Sequence, residues 1–143
     1  MMNMPTKPNQ RRTLLAVAVL LTTALSPAAV SQTTSSPDPK SIPVLDGGAG
    51  PCSADFSITD ATSAPVYNAK IKVHIAYRFG GFHKLDLEVA TNVDGKARLT
   101  GLPNRVKRPL TFQVAEADRT GEATDDPATT CNAQFTIALH KKP

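Results

Sequence analysis

The sequence predicts an all-β fold, a sandwich of six to seven short strands with one disulfide between the first and last of them. Three observations carry that reading. Apolar residues recur at every second position through most of the chain after residue 51, as in Cys52, Ala54, Phe56 and Ile58, which is the period of a half-buried strand. Turn residues separate these stretches, Pro is frequent at 12 residues and Trp is absent, a mixture suited to short strands rather than packed helices. The only two cysteines, Cys52 and Cys131, each open such a stretch in its apolar phase.

The N-terminal segment reads as a cleavable secretory signal over residues 1–31. Lys7, Arg11 and Arg12 form a basic start, an apolar run follows from Leu14 to Leu25, and Pro27 precedes the small residues Ala28, Ala29 and Ser31. The cut is expected after Ser31, with Ala28 and Ala29 as alternatives. An apolar run of ~13 residues spans only ~20 Å as a helix, too short for a ~30 Å hydrocarbon core. Arg11-Arg12-Thr13-Leu14-Leu15 also resembles a twin-arginine signal. Residues 32–51 are rich in Ser, Thr, Pro and Gly and read as a flexible linker, which leaves residues 52–143 as the sandwich domain.

The signal changes the charge argument. The chain holds 16 basic and 12 acidic residues, but three of the basic ones precede residue 32, leaving 13 against 12. The basicity belongs mostly to the signal, so nothing points to nucleic acid. Export to an oxidising compartment makes the cysteine pair a disulfide. With 78 residues between the two, such a link contributes ~4–5 kcal/mol, comparable to the whole stability of a small domain.

Each strand then follows in order. Cys52–Thr59 is the first. Ala69, Ile71, Val73, Ile75 and Tyr77 face one way in the second, against Lys70, Lys72, His74 and Arg78. Leu85, Leu87 and Val89 alternate with Lys84, Asp86 and Glu88 in the third, which ends at the turn Asn92-Val93-Asp94-Gly95. Ala97 and Leu99 mark a short fourth, and Leu110, Phe112 and Val114 a fifth. Glu116 to Thr130 reads as a polar loop, after which Cys131, Ala133, Phe135, Ile137 and Leu139 form the last strand. A three-residue hairpin loop at Gly80-Gly81-Phe82, or a wider one in the same register, is expected to pair Tyr77 with Leu85, Ile75 with Leu87 and Val73 with Val89. Linking two strand starts is easiest if the first and last strands run parallel and adjacent, or face each other across a sandwich of Ig-like or prealbumin-like type.

Residues 91–103, Thr-Asn-Val-Asp-Gly-Lys-Ala-Arg-Leu-Thr-Gly-Leu-Pro, resemble the "T-x-x-D-G-x-a-x-f-x-G-L-P" stretch of Cna-B-type and carboxypeptidase regulatory-like domains. Ile58-Thr59-Asp60, Ala64-Pro65-Val66 and Asn68 to Val73 are similar to the opening of those domains. The resemblance covers roughly residues 54–115 and implies a prealbumin-like sandwich used as an accessory, stalk or binding module. Some of those domains carry a Lys–Asn isopeptide bond from the first strand. Cys52–Thr59 contains no Lys, and Cys52–Cys131 would clamp the same ends.

The residues offer little catalytic chemistry. His74, His83 and His140 show no metal-ligand spacing. Glu116, Asp118, Glu122, Asp125 and Asp126 lack an ordered calcium-loop pattern. Transthyretin-like hydrolases end in Tyr-Arg-Gly-Ser, unlike Leu139 to Pro143, and intradiol dioxygenases place two Tyr and two His on iron at spacings that Tyr67, Tyr77 and the three His do not match. No cofactor or metal is expected, and the chain is not expected to be an enzyme.

The candidate binding residues are Phe79 and Phe82, on an expected exposed hairpin tip, and the cationic cluster Arg105, Lys107 and Arg108. The expectation is an exported, non-catalytic module for cell-surface or periplasmic interaction, with a small secreted inhibitor or effector of a partner enzyme as the alternative. Its expected partner is a protein or a cell-surface polymer. It is expected in the periplasm, on the cell surface or outside the cell, with no membrane anchor once the signal is removed.

Overall fold

A computed structural model describes residues 37–143; the expected signal and the first part of the expected linker lie outside the described residues. Nine strands form two facing sheets, β1 (Val44–Asp46), β2 (Cys52–Thr59), β3 (Lys70–Tyr77), β4 (His83–Ala90), β5 (Lys96–Leu102), β6 (Leu110–Glu116), β7 (Arg119–Asp125), β8 (Asn132–Ala138) and β9 (His140–Lys141). One sheet has the order β1-β5-β2-β8 and the other β4-β3-β6-β7-β9. The fold is the expected all-β sandwich.

The alternation places the core as expected. Cys52, Ala54, Phe56 and Ile58 are buried from β2, Ile71, Val73 and Ile75 from β3, and Leu110, Phe112 and Val114 from β6. Phe56 and Phe112 meet edge to face across the two sheets with ring centroids 5.0 Å apart, and Phe135 of β8 completes the cluster at 5.5 and 5.4 Å from them. Such pairs add ~0.5–1.5 kcal/mol to the burial of their area. The first long strand and the last long one are parallel neighbours, in register from Ser53↔Asn132 to Thr59↔Ala138. The disulfide Cys52–Cys131 joins their starts, with Cα atoms 4.6 Å apart.

The turn after β4 locks the two sheets' ends together. The buried Thr91 hydroxyl donates to the Val66 carbonyl at 2.6 Å and accepts from the Ala69 N–H at 2.9 Å. The Asn92 side-chain oxygen accepts from the Lys96 N–H, and its amide donates to the Lys40 carbonyl. Gly95 has φ +70°, and a Cβ there would lie 2.3 Å from the Ile58 carbonyl oxygen. Only glycine admits both that dihedral and that approach.

Four features depart from the sequence reading. The expected linker is ordered in its described part, where Val44–Asp46 pairs parallel with Arg98–Thr100 of β5. The expected polar loop Glu116–Thr130 contains β7, paired antiparallel with the whole of β6. Its inward positions are the small residues Gly121 and Ala123, and a Cβ on Gly121 would sit 2.7 Å from Ile137 Cγ2, so close packing has removed the apolar signal that normally marks a strand. A two-residue strand, β9, extends the same edge. In the β3–β4 hairpin Tyr77 pairs with His83, Ile75 with Leu85 and Val73 with Leu87, two residues away from the expected register. Left-handed backbone at Arg78, Gly80 and Gly81 centres the turn on Gly80 rather than Gly81. A shift of one residue in the centre slides the pairing by two and leaves every side chain on its face.

The disulfide fits an oxidising compartment. Among the described residues no helix is long and apolar enough to cross a membrane. Replacing Cys52 and Cys131 with Ala should lower the unfolding free energy in urea by ~4–5 kcal/mol; an unchanged midpoint would show that the cross-link restrains little.

Candidate functional site

The candidate site grows from a defect between β3 and β6. The two strands pair only at Lys70–Lys72 with Gln113–Ala115, and meet again at a single bridge, Tyr77↔Val106. Four residues of β3 therefore face six on the other side, from Lys107 to Phe112. The two extra residues bulge outward, and Pro109, which has no N–H, sits where a ladder bond is missing. Lys107 is tied down, its N–H donating to the Ala76 carbonyl at 3.0 Å.

The bulge forms a raised wall beside the outer face of β3 and β4, and the space between is an open groove of about 780 Å³. Lys72, His74, Lys84, Asp86 and Glu88 lie on its floor, and Lys107, Arg108 and Pro109 on its wall. Two cross-strand pairs neutralise part of the floor. Lys72 Nζ is 3.1 Å from Glu88 Oε2, and His74 Nδ1 is 2.6 Å from Asp86 Oδ1. Both pairs are exposed, so they add little to stability. Lys84, Lys107 and Arg108 have no ion-pair partner among the described residues. The groove thus carries four fixed cations against two carboxylates, with an imidazole held between them.

The sequence-predicted residues fall at one end of this groove. Phe79 and Phe82 stand on the β3–β4 tip, 94% and 82% exposed. Arg105, Lys107 and Arg108 lie on the loop that abuts it, where a Cβ on Gly81 would come within 2.9 Å of Lys107 Cδ. A second cavity of about 600 Å³ between tip and loop is lined by Phe79, Arg105 and Lys107. The sequence reading missed His74, Lys84 and Asp86 as groove residues. Their outward phase was visible, but their grouping with Lys107 and Arg108 depends on the bulge.

Other candidates do not assemble. Glu116 is held by Arg119 and Asp118 by Lys141. Burial, helped by the charge of Asp126, raises the Asp125 carboxyl above its ordinary range, so this group retains its proton more readily than a free carboxylate. Among the described residues no cluster of three or more His, Cys, Asp or Glu is placed to hold a metal. Tyr67 precedes β3 and Tyr77 ends it, so roughly 25–30 Å of chain separates them.

No family model and no curated relative matches the sequence. Solved structures similar to it include 3-chlorocatechol 1,2-dioxygenase from Rhodococcus opacus 1CP, with 13% identity and a TM-score of 0.44 over 71% of this chain and 64% of that one. Hydroxyquinol 1,2-dioxygenase from Pseudomonas putida DLL-E4 is similar at 11% identity and a TM-score of 0.44, over 72% and 63%. Catechol 1,2-dioxygenase from Acinetobacter sp. ADP1, inhibited by bound mercury, is similar at 13% identity and a TM-score of 0.44, over 72% and 60%. The chain therefore spans less than two thirds of these proteins. Likeness of this degree concerns strand arrangement and assigns no chemistry. It does correct the expectation of a non-catalytic interaction module, and of an inhibitor or effector in its place. These neighbours are enzymes.

Arg78 carries the strain of the tip. Its backbone lies at φ +63°, ψ −179°, a region that is essentially glycine-only and costs about 1–3 kcal/mol for other residues. Arg78→Gly should accordingly raise the unfolding free energy by about 1 kcal/mol, a gain of roughly 4–8 °C in Tm for a domain of this size. A lower Tm would show that Arg78 is not held in that backbone.

Proposed function

We propose that this protein binds an anionic ligand, bearing carboxylate or phosphate groups, in the groove on the outer face of the five-stranded sheet. The observation that carries the reading is the convergence of Lys84, Lys107 and Arg108, three cations without ionic partners among the described residues, on one concave surface. Guanidinium and ammonium groups bind such anions through charge-assisted hydrogen bonds, and Lys72 adds a further cation to the floor. A cell-surface polymer rich in acidic groups fits a groove open along its length. The disulfide and the apolar run behind a basic N-terminus support export, with residues 1–31 as signal and the sandwich, β1 included, as the binding domain. The turn motif at Thr91–Pro103 supports kinship with Cna-B-type and carboxypeptidase regulatory-like domains.

Tripolyphosphate and tetragalacturonate, titrated at low salt and followed by amide NMR, should shift resonances of β3, β4 and residues 107–109. The triple change of Lys84, Lys107 and Arg108 to Ala should weaken that binding by about tenfold or more, and added salt should weaken it further. Shifts confined to another surface, or none with either anion, would overturn the reading.

One observation favours a second reading, proton-transfer chemistry on the bound ligand. The Asp86 carboxylate fixes His74 through Nδ1, leaving Nε2 as the nitrogen open to a ligand, the arrangement in which a carboxylate orients a general base. Turnover of p-nitrophenyl phosphate or p-nitrophenyl acetate that is lost in His74→Gln would establish it, and no turnover of either would remove it.

A further inference from the structure

We propose that the β3–β4 tip docks the protein on an anionic lipid bilayer, with Phe79 and Phe82 entering the interface and a ring of cations meeting the headgroups. This goes beyond the groove reading and rests on the tip at the groove's end, which shares Lys84 and Lys107 with it. Phe79 and Phe82 are the most exposed large apolar residues described, at 94% and 82%, and they stand three residues apart on a single convex turn. Neither packs into the core: the Phe82 ring lies over Gly80, where a Cβ would come within 2.7 Å of it.

The surroundings carry four cations, Arg78, Lys84, Arg105 and Lys107. Arg78, His83 and Lys84 flank the pair in sequence, and Arg105 and Lys107 approach from the neighbouring loop. Residues 78–84 and 103–109 contain no Asp or Glu. Arg78 and Arg105 have no ion-pair partner among the described residues, so their charge is available to a surface. Charge complementarity decides among occupants. A second copy would bring the same cations tip to tip and repel. A bilayer bearing acidic lipids attracts basic side chains within a Debye length and accepts an apolar wedge without needing a matching pocket. Arginine stems lie along that boundary with their heads in the polar layer.

The chain contains no Trp, so Phe82→Trp reports on the tip alone, whatever the apolar run near the N-terminus does. With phosphatidylcholine–phosphatidylserine vesicles its emission should shift to the blue and be quenched by brominated acyl chains, while phosphatidylcholine vesicles should give neither effect. Arg78→Gln with Arg105→Gln should weaken vesicle binding by about tenfold, and so should Phe79→Ser in the Phe82→Trp background. Replacing Arg108 with Ala should weaken tripolyphosphate binding in the groove and leave the blue shift in place, which separates the two proposals. An unshifted emission on acidic vesicles would overturn docking. Sedimentation showing a dimer that Phe79→Ser dissolves, with no blue shift on vesicles, would overturn it in favour of self-association.

Discussion

The parallel pairing of β2 with β8 is the constraint on which the sandwich depends. β2 lies between β5 and β8, so its four inward residues, Cys52, Ala54, Phe56 and Ile58, are covered on both flanks as well as from the opposite sheet. Bringing the last long strand back beside the first closes nearly the whole domain into one loop, and that closure costs chain entropy before any contact offsets it. The Cys52–Cys131 bond removes most of that cost from folding under oxidising conditions. The Phe56–Phe112–Phe135 cluster then forms directly above the paired strands and fastens the second sheet. A core of this size, with few aromatics and no Trp, has little surplus, which is why one covalent link carries so much weight.

Closing the interior with apolar residues leaves the ionisable groups to the outer faces, and the two outer faces treat them differently. On the β2–β5 face Arg98 holds Asp55 with two bonds, one of them 2.9 Å from Nη2 to Oδ2, and Lys96 donates to the Ser57 hydroxyl. There Arg98 is matched by a charge on the neighbouring strand and Lys96 by a hydroxyl. On the β3–β4–β6 face matching stops at the bulge, and Lys107 and Arg108 are delivered beside Lys84 with nothing opposite. Exposed pairs of the matched kind contribute at most ~1 kcal/mol. The trio Lys84, Lys107 and Arg108 has no such partner among the described residues.

Much of this architecture was legible because it rests on the two-residue period. The inward set of every long apolar strand and the turn at Asn92–Gly95 follow from alternation and spacing, and the two cysteines narrowed the closure to two arrangements, of which the structure has the parallel one. What escaped was carried by small or sparse residues. β7 hides because close packing against Ile137 demands Gly121, and β1 hides because three residues pairing along one edge need no pattern of their own. Phe79 and Phe82 could be placed on a tip from sequence, but the depth of the groove could not. That depth comes from a mismatch of four residues against six between β3 and β6, which exists only once Tyr77 has paired with Val106.

The hairpin register shows how far a small turn decides a site. With the turn centred on Gly81, Asp86 would lie opposite Ala76 and Glu88 opposite His74, and Lys84 would pass beyond the end of β3. Centring it on Gly80 places Asp86 against His74, Glu88 against Lys72 and Lys84 against Ala76. The Ala76 carbonyl is the one that anchors Lys107, so the same slide that makes the His74–Asp86 pair also brings Lys84 beside the cations of the bulge. Every side chain keeps its face in either register, so the core is indifferent to the choice. The left-handed residues Arg78, Gly80 and Gly81 make it, and the strain held at Arg78 belongs to the turn that sets His74 opposite Asp86 on the outer face of the sheet.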